Sequence, residues 1–409
     1  MKNMRAKRLV VAATVAALFT TGLVVATAPA QAAGKIDYCT VQNLTEAGGM
    51  DALVTAAKKE GTLNVITLAS GWANYDEAIA LFKKAFGIKI VNDNPDGSSA
   101  YELQTIKTAP AAKQPDVVDI GATHLGAEAS DTLGRSLFTP YKVATWNDIT
   151  PTWKDTNGLW YGDYQGTINI AYDSSVTPAP TKISDLSNPA YKGMVALGGD
   201  PSAATESFMS VFAASIAKGG SVDDIKPGIE FFRSMKQSGN FVTVPATGAN
   251  LATGAFKIAL SWSFNGPGFI AAAKGIGKDL KYVTPKDVVL KGSPYIQAIN
   301  AKAPHCAAAR LWEEFLFSEN KGKFSKDLTA ADIKQSGSKV FATIMGGQNI
   351  FNSGAAHPIT EAAMIKKGTL IAPPAGFEIP AGVKVYSPTL DQQIPQQAVV
   401  KTMWPSVIQ

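Results

Sequence analysis

The sequence has few of the side chains that hold transition metals. Its 409 residues include only two cysteines and three histidines, and no CxxC pair occurs. His124, His305 and His357 are far apart along the chain, whereas structural zinc sites usually draw on closely spaced cysteines and histidines. We therefore expect no metal site, and no motif predicts another cofactor.

Catalytic motifs are also missing. The chain contains neither a GxSxG nucleophile elbow nor a GxxxxGKS/T phosphate loop. Asp163 and Asp200 could form the carboxylate pair of a glycosidase, but Asp200 is explained more simply as a helix cap. Because no nucleophile can be paired with a base, we predict that the chain is not an enzyme. An exported α/β enzyme acting on a polar metabolite is the alternative.

One glycine-rich pattern resembles a dinucleotide-binding fingerprint. Gly266, Gly268 and Ala271 give GxGxxA after a predicted strand, and Asp287 follows about twenty residues later. Pro267, however, stiffens the turn that would have to hold the pyrophosphate, and the stretch lies in the middle of the chain. Dinucleotide binding is therefore the weaker interpretation of this stretch.

The N-terminal residues 1–32 have the pattern of a secretory signal peptide. Four basic residues precede an apolar run that begins at Leu9, and residues 30–32, Ala-Gln-Ala, form a small-x-small peptidase site. A permanent membrane anchor is the alternative, but Thr20, Thr21 and Gly22 interrupt the run. No cysteine follows the cleavage site directly, so we expect a protein exported to the periplasm, or secreted, without a lipid anchor.

Little net charge remains after that segment is removed. The chain has 38 Lys+Arg and 33 Asp+Glu, and the signal peptide carries four of the basic residues and none of the acidic ones. The mature chain thus has 34 basic (38 − 4) and 33 acidic residues. Such a balance gives no reason to expect a nucleic acid or an anionic membrane surface as a partner.

The two cysteines of the mature chain are predicted to form a disulfide. Cys39 and Cys306 would meet an oxidising environment after export, and such compartments favour disulfides. Their separation in sequence is no obstacle, because the entropic cost of closing a loop grows slowly with its length. Two free, buried thiols are the alternative.

The mature chain has strand and helix patterns in alternation. Residues 63–68, LNVITL, predict a buried strand, and Asn74 then stands at the N-cap position of an amphipathic helix with Phe82 and Phe86 on its apolar face. Asp200 and Pro201 similarly predict the N-cap and first position of a second helix. Further strands are predicted in PDVVDIG, MVALGG, FKIALSWS and SPYIQAIN. The predicted class is α/β, in which ligands meet the carboxyl ends of the strands.

Several stretches in order resemble the extracellular solute-binding proteins of ABC importers, of the periplasmic-binding-protein type. They are KKEGTLNVIT, ANYDEAIALFKKAFGIKI, PDVVDIG, DLSNPAYKGMVALGGDP and YIQAINAKAPHCAAARLWEEFLFSE. The resemblance implies a class II, two-lobed α/β fold in which each lobe is a mixed, mostly parallel sheet flanked by helices. It also implies a monomer that binds a small molecule between the lobes and delivers it to a membrane permease.

The resemblance implies that two strands cross between the lobes. These crossings are expected near residues 163–173 and 293–300. The first lobe would then comprise 33–166 plus 297–409, and the second 167–296. Relatives that bind iron carry adjacent tyrosines late in the chain, and this sequence has no Tyr-Tyr pair, so ferric iron is not expected.

The strand-end loops indicate what kind of solute is bound. Six loops (SGWANY, NDNPDGSS, GATHLG, YGDYQG, GGDPSAATE and SWSFNGPG) contain acids and aromatic residues but no Lys or Arg, which suits an organic cation such as a polyamine. The alternative is a small phosphonate or carboxylate held by the helix starts after Asn74 and Asp200. The predicted ligand-binding residues are Trp72, Asn74, Tyr75, Ser98, Thr123, Asp163, Tyr164, Asp200, Thr205, Glu206, Trp262 and Phe264.

The signal peptide can be tested on exported protein. We predict that the mature chain begins at or near Ala33, because signal peptidase cleaves after a small-x-small site. Intact-mass spectrometry of the exported protein measures this directly. A mature form that keeps residues 1–31 would support the membrane anchor instead.

Overall fold

The computed structural model describes residues 35–69, 71–73, 75–125, 136–149, 151, 154–164, 166–317 and 379–408. The predicted signal peptide, residues 1–32, and Asn74 lie outside the described residues. From Asp37 onward the chain forms one compact unit. Within the described ranges, no helix has the length and apolar character that a bilayer crossing requires.

The strands and helices alternate along much of the chain. The strands are β1 (Thr62–Ile66), β2 (Lys89–Asp93), β3 (Val117–Gly121), β4 (Tyr161–Tyr164), β5 (Ile168–Asp173), β6 (Val195–Leu197), β7 (Ile258–Trp262), β8 (Leu280–Val283), β9 (Val289–Leu290), β10 (Tyr295–Ile299) and β11 (Val385–Tyr386). The α-helices are α1 (Met50–Glu60), α2 (Tyr75–Phe86), α3 (Ser99–Thr108), α4 (Ala122–Leu125), α5 (Thr205–Ala217), α6 (Lys226–Ser238), α7 (Gly248–Ala252), α8 (Gly266–Gly275), α9 (Cys306–Leu316), α10 (Leu390–Met403) and α11 (Pro405–Ile408). The predicted α/β class is confirmed.

The predicted strand–helix–strand unit at the start of the fold is confirmed. β1 pairs in parallel with β2, and α2 connects them. The apolar face of α2 is buried at Phe82 and Phe86, which are 0% and 2% exposed. Helix α1 ends at Gly61, which adopts φ 72° and donates its N–H to the carbonyl of Ala57. Such a left-handed C-cap suits glycine and turns the chain directly into β1.

Two larger sheets contain most of the remaining strands. One has the order β3-β10-β4, with β10 antiparallel to both neighbours. The other has the order β6-β7-β5-β8, in which β6 and β7 are parallel and β5 is antiparallel to β7 and β8. The first sheet thus has only antiparallel pairs and the second is mixed, because β5 and β10, which enter from the direction of the other sheet, run against their neighbours.

The chain passes between these two sheets twice. It leaves the first sheet at the end of β4, Tyr164, and enters the second at the start of β5, Ile168. After β8 of the second sheet it forms β9, which pairs with β11, and it returns to β10 across residues 291–294. The two passages lie side by side, since the Gly292 N–H donates to the Gly166 carbonyl at 2.9 Å and Thr167 pairs with Lys291. This arrangement agrees with crossings near 163–173 and 293–300, while the lobe boundaries stay a prediction.

The C-terminal helix α10 contacts structure around both sheets. Gln393 accepts a hydrogen bond from the hydroxyl of Thr123, which lies just after β3. Gln396 accepts a hydrogen bond from the backbone N–H of Ile225, just before α6, at 3.0 Å. After α10, Trp404 packs against aromatic rings near the second sheet. The end of the chain therefore spans the two sides of the molecule.

The structure corrects one local prediction, the helix start at Asp200, and gives Asp287 of the disfavoured dinucleotide-like pattern a structural role. The helix expected to start at Asp200 and Pro201 begins at Thr205, because the Asp200 carboxylate accepts the Ser202 N–H at 2.7 Å and closes a turn instead. Asp287, the acid of the dinucleotide-like pattern, accepts the N–H groups of Ile183 and Ser184, each at 3.0 Å. Its carboxylate is thus committed to capping a short 3-10 helix.

The predicted disulfide is confirmed. Cys39 and Cys306 are bonded at a sequence separation of 267, and the bond ties the N-terminal segment to the start of α9. Arg310, one turn along α9, is fully buried. It donates hydrogen bonds to the carbonyls of Val41 and Cys39, each at 3.0 Å. The disulfide and this arginine hold the same segment against the same helix.

We expect titration of the unfolded, unreduced protein to find no free thiol. Cys39→Ser should lower the free energy of unfolding by about 2–5 kcal/mol, because the disulfide restricts the unfolded chain. Denaturant unfolding of the variant and of the parent protein measures this difference. Two free thiols in the unreduced parent, or equal stability of the two proteins, would contradict the expectation.

Candidate functional site

A cavity of about 160 Å³ lies between residues that belong to the two sides of the fold. One side is lined by Thr67, which follows β1, by Ser98, which caps α3, and by Asp119, which lies within β3. Thr205 and Glu206, the first residues of α5, line the other. The cavity is therefore formed where strand ends and helix starts from both sheets converge, which is the usual location of ligands in α/β folds.

The lining of this cavity is acidic. It includes the carboxylates of Asp96, Glu102, Asp119 and Glu206, and none of its described lining residues is Lys, Arg or His. We call it the carboxylate cavity. Asp96 is exposed, whereas the other three side chains are at most 8% exposed. Buried carboxylates without a basic partner are costly when ionised, so their environment sets their protonation.

Glu206 is held at one oxygen and open at the other. Its Oε2 accepts hydrogen bonds from the Ser261 hydroxyl at 3.0 Å, the Trp262 N–H at 3.0 Å and the Asn265 amide at 3.2 Å. Its Oε1 faces Gly198, where an added Cβ would lie only 2.6 Å away. Burial raises the pKa of this carboxyl to about 7, although the three hydrogen bonds lower it.

Glu102 and Asp119 form a pair of buried acids in the same cavity. Glu102 accepts hydrogen bonds from the Thr67 hydroxyl at 2.5 Å and the Asp119 N–H at 2.8 Å. Burial, and then the charge of Asp119, raise the pKa of Glu102 well above its usual range. Burial also raises the pKa of Asp119 to about 7. The Oδ1 atom of Asp119 is buried without a hydrogen-bond partner among the described residues, so it can accept a donor from a ligand.

Aromatic side chains form another part of the wall. Trp72 contacts Tyr295 and Phe264 edge to face, with ring centroids 5.7 and 5.6 Å apart. Its indole N–H donates to the Tyr164 hydroxyl at 2.7 Å, and that hydroxyl donates to Asp119 Oδ2 at 2.7 Å. Tyr164 also stacks on Tyr295 at 5.0 Å. The Trp72 loop is thus connected to the acidic pair through Tyr164.

A buried polar layer lies behind this wall. The Tyr75 hydroxyl donates to Asp163 Oδ2 at 2.8 Å and accepts a hydrogen bond from the Gln297 amide. Trp312 in turn donates to Gln297 at 3.3 Å. Burial, and then the charge of Asp119, raise the pKa of Asp163 well above its usual range. Asp163 therefore supports the site from behind and does not line the cavity.

The structure brings most of the sequence-predicted residues together, in two layers. Trp72, Ser98, Thr205 and Glu206 line the carboxylate cavity. Tyr75, Asp163, Tyr164, Trp262 and Phe264 are buried next to those lining residues or behind them.

Two of the predicted residues lie away from the cavity. Thr123 is fully buried and donates to Gln393 of α10. Asp200 is exposed and borders a different depression that Trp404 and Ile408 also line. Neither is among the lining residues of the carboxylate cavity. Asn74 lies outside the described residues.

Sequence reasoning missed three principal residues. Glu102 lies on the buried face of α3, Asp119 lies within β3, and Tyr295 lies within β10. A signal was available for Asp119, the second acid of PDVVDIG. An ionisable residue inside a buried strand is unusual unless it is paired or functional.

The fold is that of a periplasmic binding protein. AfuA of Actinobacillus pleuropneumoniae, solved with fructose-6-phosphate, aligns over 85% of this chain and 98% of its own at a TM-score of 0.56 and 15% identity. A putative spermidine/putrescine ABC transporter protein of Listeria monocytogenes aligns over 84% of this chain and 99% of its own, at a TM-score of 0.51 and 16% identity. Iron-bound HitA of Pseudomonas aeruginosa aligns over 85% of this chain and 99% of its own, at a TM-score of 0.50 and 16% identity. At these identities the likeness concerns the fold alone.

Family membership rests on the sequence. The family described as bacterial extracellular solute-binding protein matches residues 116–332, which is just over half of the chain. The chain belongs to this family. A comparison with curated protein sequences finds no match.

The raised pKa of the buried Glu206 carboxyl predicts how the stability of the protein depends on pH. Its pKa is about 7 in the folded protein, against an ordinary 4.5, so the folded state binds this proton more tightly than the unfolded state. Stability is therefore lost as the pH rises from about 4.5 through 7, by about 3 kcal/mol. Glu206→Gln should remove that part of the decline, which urea unfolding at pH 5 and pH 8 would measure.

The exposed Asp200 provides the control. Asp200→Asn should retain the decline of the parent protein between the two pH values. If Glu206→Gln also retains it in full, the Glu206 carboxyl does not titrate as described.

Proposed function

We propose that this protein is the substrate-binding component of an ABC importer and that it captures an organic cation of the polyamine type. It would bind the cation in the carboxylate cavity and deliver it to the permease of the importer. The proposal is carried by one observation, which is the presence of four carboxylates, and of no basic residue, among the described lining residues. A non-enzymatic, monomeric protein exported to the periplasm or secreted fits this role.

An ammonium group matches what the cavity offers. It supplies three hydrogen-bond donors and a positive charge. Asp119 Oδ1 has no hydrogen-bond partner among the described residues, and the described hydrogen bonds to Glu206 all end on Oε2, so that Oε1 can accept a ligand donor. Its arrival would make ionisation of these carboxyls favourable, since a buried charge is stable only when it is paired. Trp72 and Tyr295 add aromatic surface, and a cation–aromatic contact can contribute about 2 kcal/mol when water is excluded.

The position of the cavity supports a closing mechanism. Asp119 belongs to the first large sheet, whereas Glu206 packs against β7 of the second. A ligand that contacts both carboxylates favours the arrangement that brings them together, because it binds that arrangement more tightly than an open one. The adjacent passages, between β4 and β5 and across residues 291–294, are the places where the chain could bend. Closure would then present the loaded face to the permease.

A small anion, such as a phosphonate or carboxylate, is the second candidate. The first turns of α3 and α5, at Ser98 and Thr205, both lie at the cavity wall. Backbone N–H groups at helix starts favour anions without a basic side chain. An anion could enter only if Glu102, Asp119 and Glu206 were protonated. The two candidates therefore require opposite ionisation states of the same carboxyls.

The pH dependence of binding separates these candidates. If one carboxyl with a pKa of about 7 must ionise, the affinity for putrescine should increase by about thirtyfold from pH 5.5 to pH 8.5. Binding of fructose-6-phosphate or inorganic phosphate should weaken over the same range under the anion hypothesis. Isothermal titration calorimetry at several pH values measures both series.

Matched variants identify the responsible carboxyl. Glu206→Gln should weaken putrescine binding and flatten its pH dependence, because the amide cannot ionise. Asp200→Asn should leave both unchanged, because Asp200 lies away from the cavity. Tight binding of an anion with no detectable binding of putrescine or spermidine would overturn the cation proposal.

A further inference from the structure

A second cavity, of about 150 Å³, lies next to the carboxylate cavity. Its floor is one face of the second large sheet, where it is lined by Ala171, Ala259 and Leu280. Its cover comes from α7 and α8, where it is lined by Leu251 and Ala273. We call it the apolar cavity, because most of its lining consists of alanine, leucine, isoleucine and phenylalanine side chains.

The two cavities share a wall. Glu206, Thr247 and Phe269 line both of them, as do the neighbouring residues 246 and 248. Phe269 is partly exposed, so its ring stands at the boundary. A molecule whose charged group lies at Glu206 is therefore at the entrance of the apolar cavity.

Besides Glu206, the polar side chains that line the apolar cavity are the hydroxyl-bearing Thr247, Ser261 and Tyr282. Ser261 donates its hydroxyl to Glu206 at 3.0 Å, and the Thr247 hydroxyl accepts the Asn250 N–H at 3.3 Å. No Lys, Arg, His or Asp is among its described lining residues. In another protein, an engineered apolar cavity of about 150 Å³ stays dry and binds benzene. A cavity of this size and character accepts a hydrocarbon chain or a single ring.

We propose that the apolar cavity receives the hydrocarbon arm of the same ligand whose ammonium group is held at Glu206. The inference rests on the proposed function in that the ligand is an organic cation held at Glu206, but it assigns a monoamine with an alkyl or aryl arm in place of the polyamine type. A diamine of equal length that entered the apolar cavity would have to place its second ammonium group among apolar side chains, where no described carboxylate other than Glu206 is present. Burial of an unpaired charge is strongly unfavourable.

A series of straight-chain amines tests the chemistry. Calorimetric titration at pH 8 with ethylamine through hexylamine should show about fourfold tighter binding for each added methylene, until the cavity is filled. Hexylamine should also bind more tightly than hexane-1,6-diamine. An affinity that does not change with chain length, or tighter binding of the diamine, would overturn the inference.

A pair of variants on α8 tests the location. Ala272 and Ala271 are both exposed, but only Ala272 is among the lining residues of the apolar cavity. Ala272→Phe should fill the cavity from its rim and abolish the dependence on chain length, whereas Ala271→Phe should preserve it. Equal slopes in the two variants would show that the arm binds elsewhere and would overturn the inference.

The outcomes for the two proposals are distinct. If short amines and putrescine bind, but the chain-length dependence is absent, the proposed function stands and the inference is wrong. If no amine binds at any pH, both are wrong. If the chain-length dependence is present and disappears in Ala272→Phe alone, both are supported.

Discussion

The site is organised around Glu206, a buried carboxyl with no basic partner among the described residues. Its carboxylate is fixed by Ser261, Trp262 and Asn265, all at the end of β7 or just after it. Asn265 also accepts the Ala73 N–H at 3.2 Å, beside Trp72. One amide thus contacts both the acidic group and the aromatic loop from the other side of the cavity. A ligand that changes the charge on Glu206 acts on a hydrogen-bond system that reaches both walls.

The two passages between the sheets are packed against the same aromatic residues. An added Cβ at Gly292 would lie 2.3 Å from the Trp262 ring, and one at Gly166 would lie 2.7 Å from the Phe264 ring. Only glycine fits at these positions without movement of the rings. Because Phe264 also contacts Trp72, the backbone between the sheets and the cavity wall belong to one packed group. Bending of these passages would therefore move the aromatic side chains of the cavity wall.

Local sequence signals predicted the parts of the fold that depend on neighbouring residues. The opening strand–helix–strand unit follows from the apolar pattern around Phe82 and Phe86, and the disulfide follows from export with two cysteines. The site was predicted only in part, because its members meet through long-range pairing. The side chain of Asp119 meets Tyr164, and the ring of Tyr164 stacks on Tyr295, only after β3, β10 and β4 have formed one sheet. Asp200 was wrongly predicted to cap a helix, because its carboxylate accepts the Ser202 N–H and closes a turn before the helix begins.

The number of protons exchanged when putrescine binds would show whether the buried carboxyls ionise to hold it. Putrescine can be titrated near pH 6.5 in two buffers that differ in ionisation enthalpy. We expect net proton release, because Glu206 and Asp119, whose pKa values are about 7, must ionise to hold an ammonium group. Saturable binding of putrescine with proton uptake, or with no proton exchange, would contradict the claim that these buried carboxyls bind the cation.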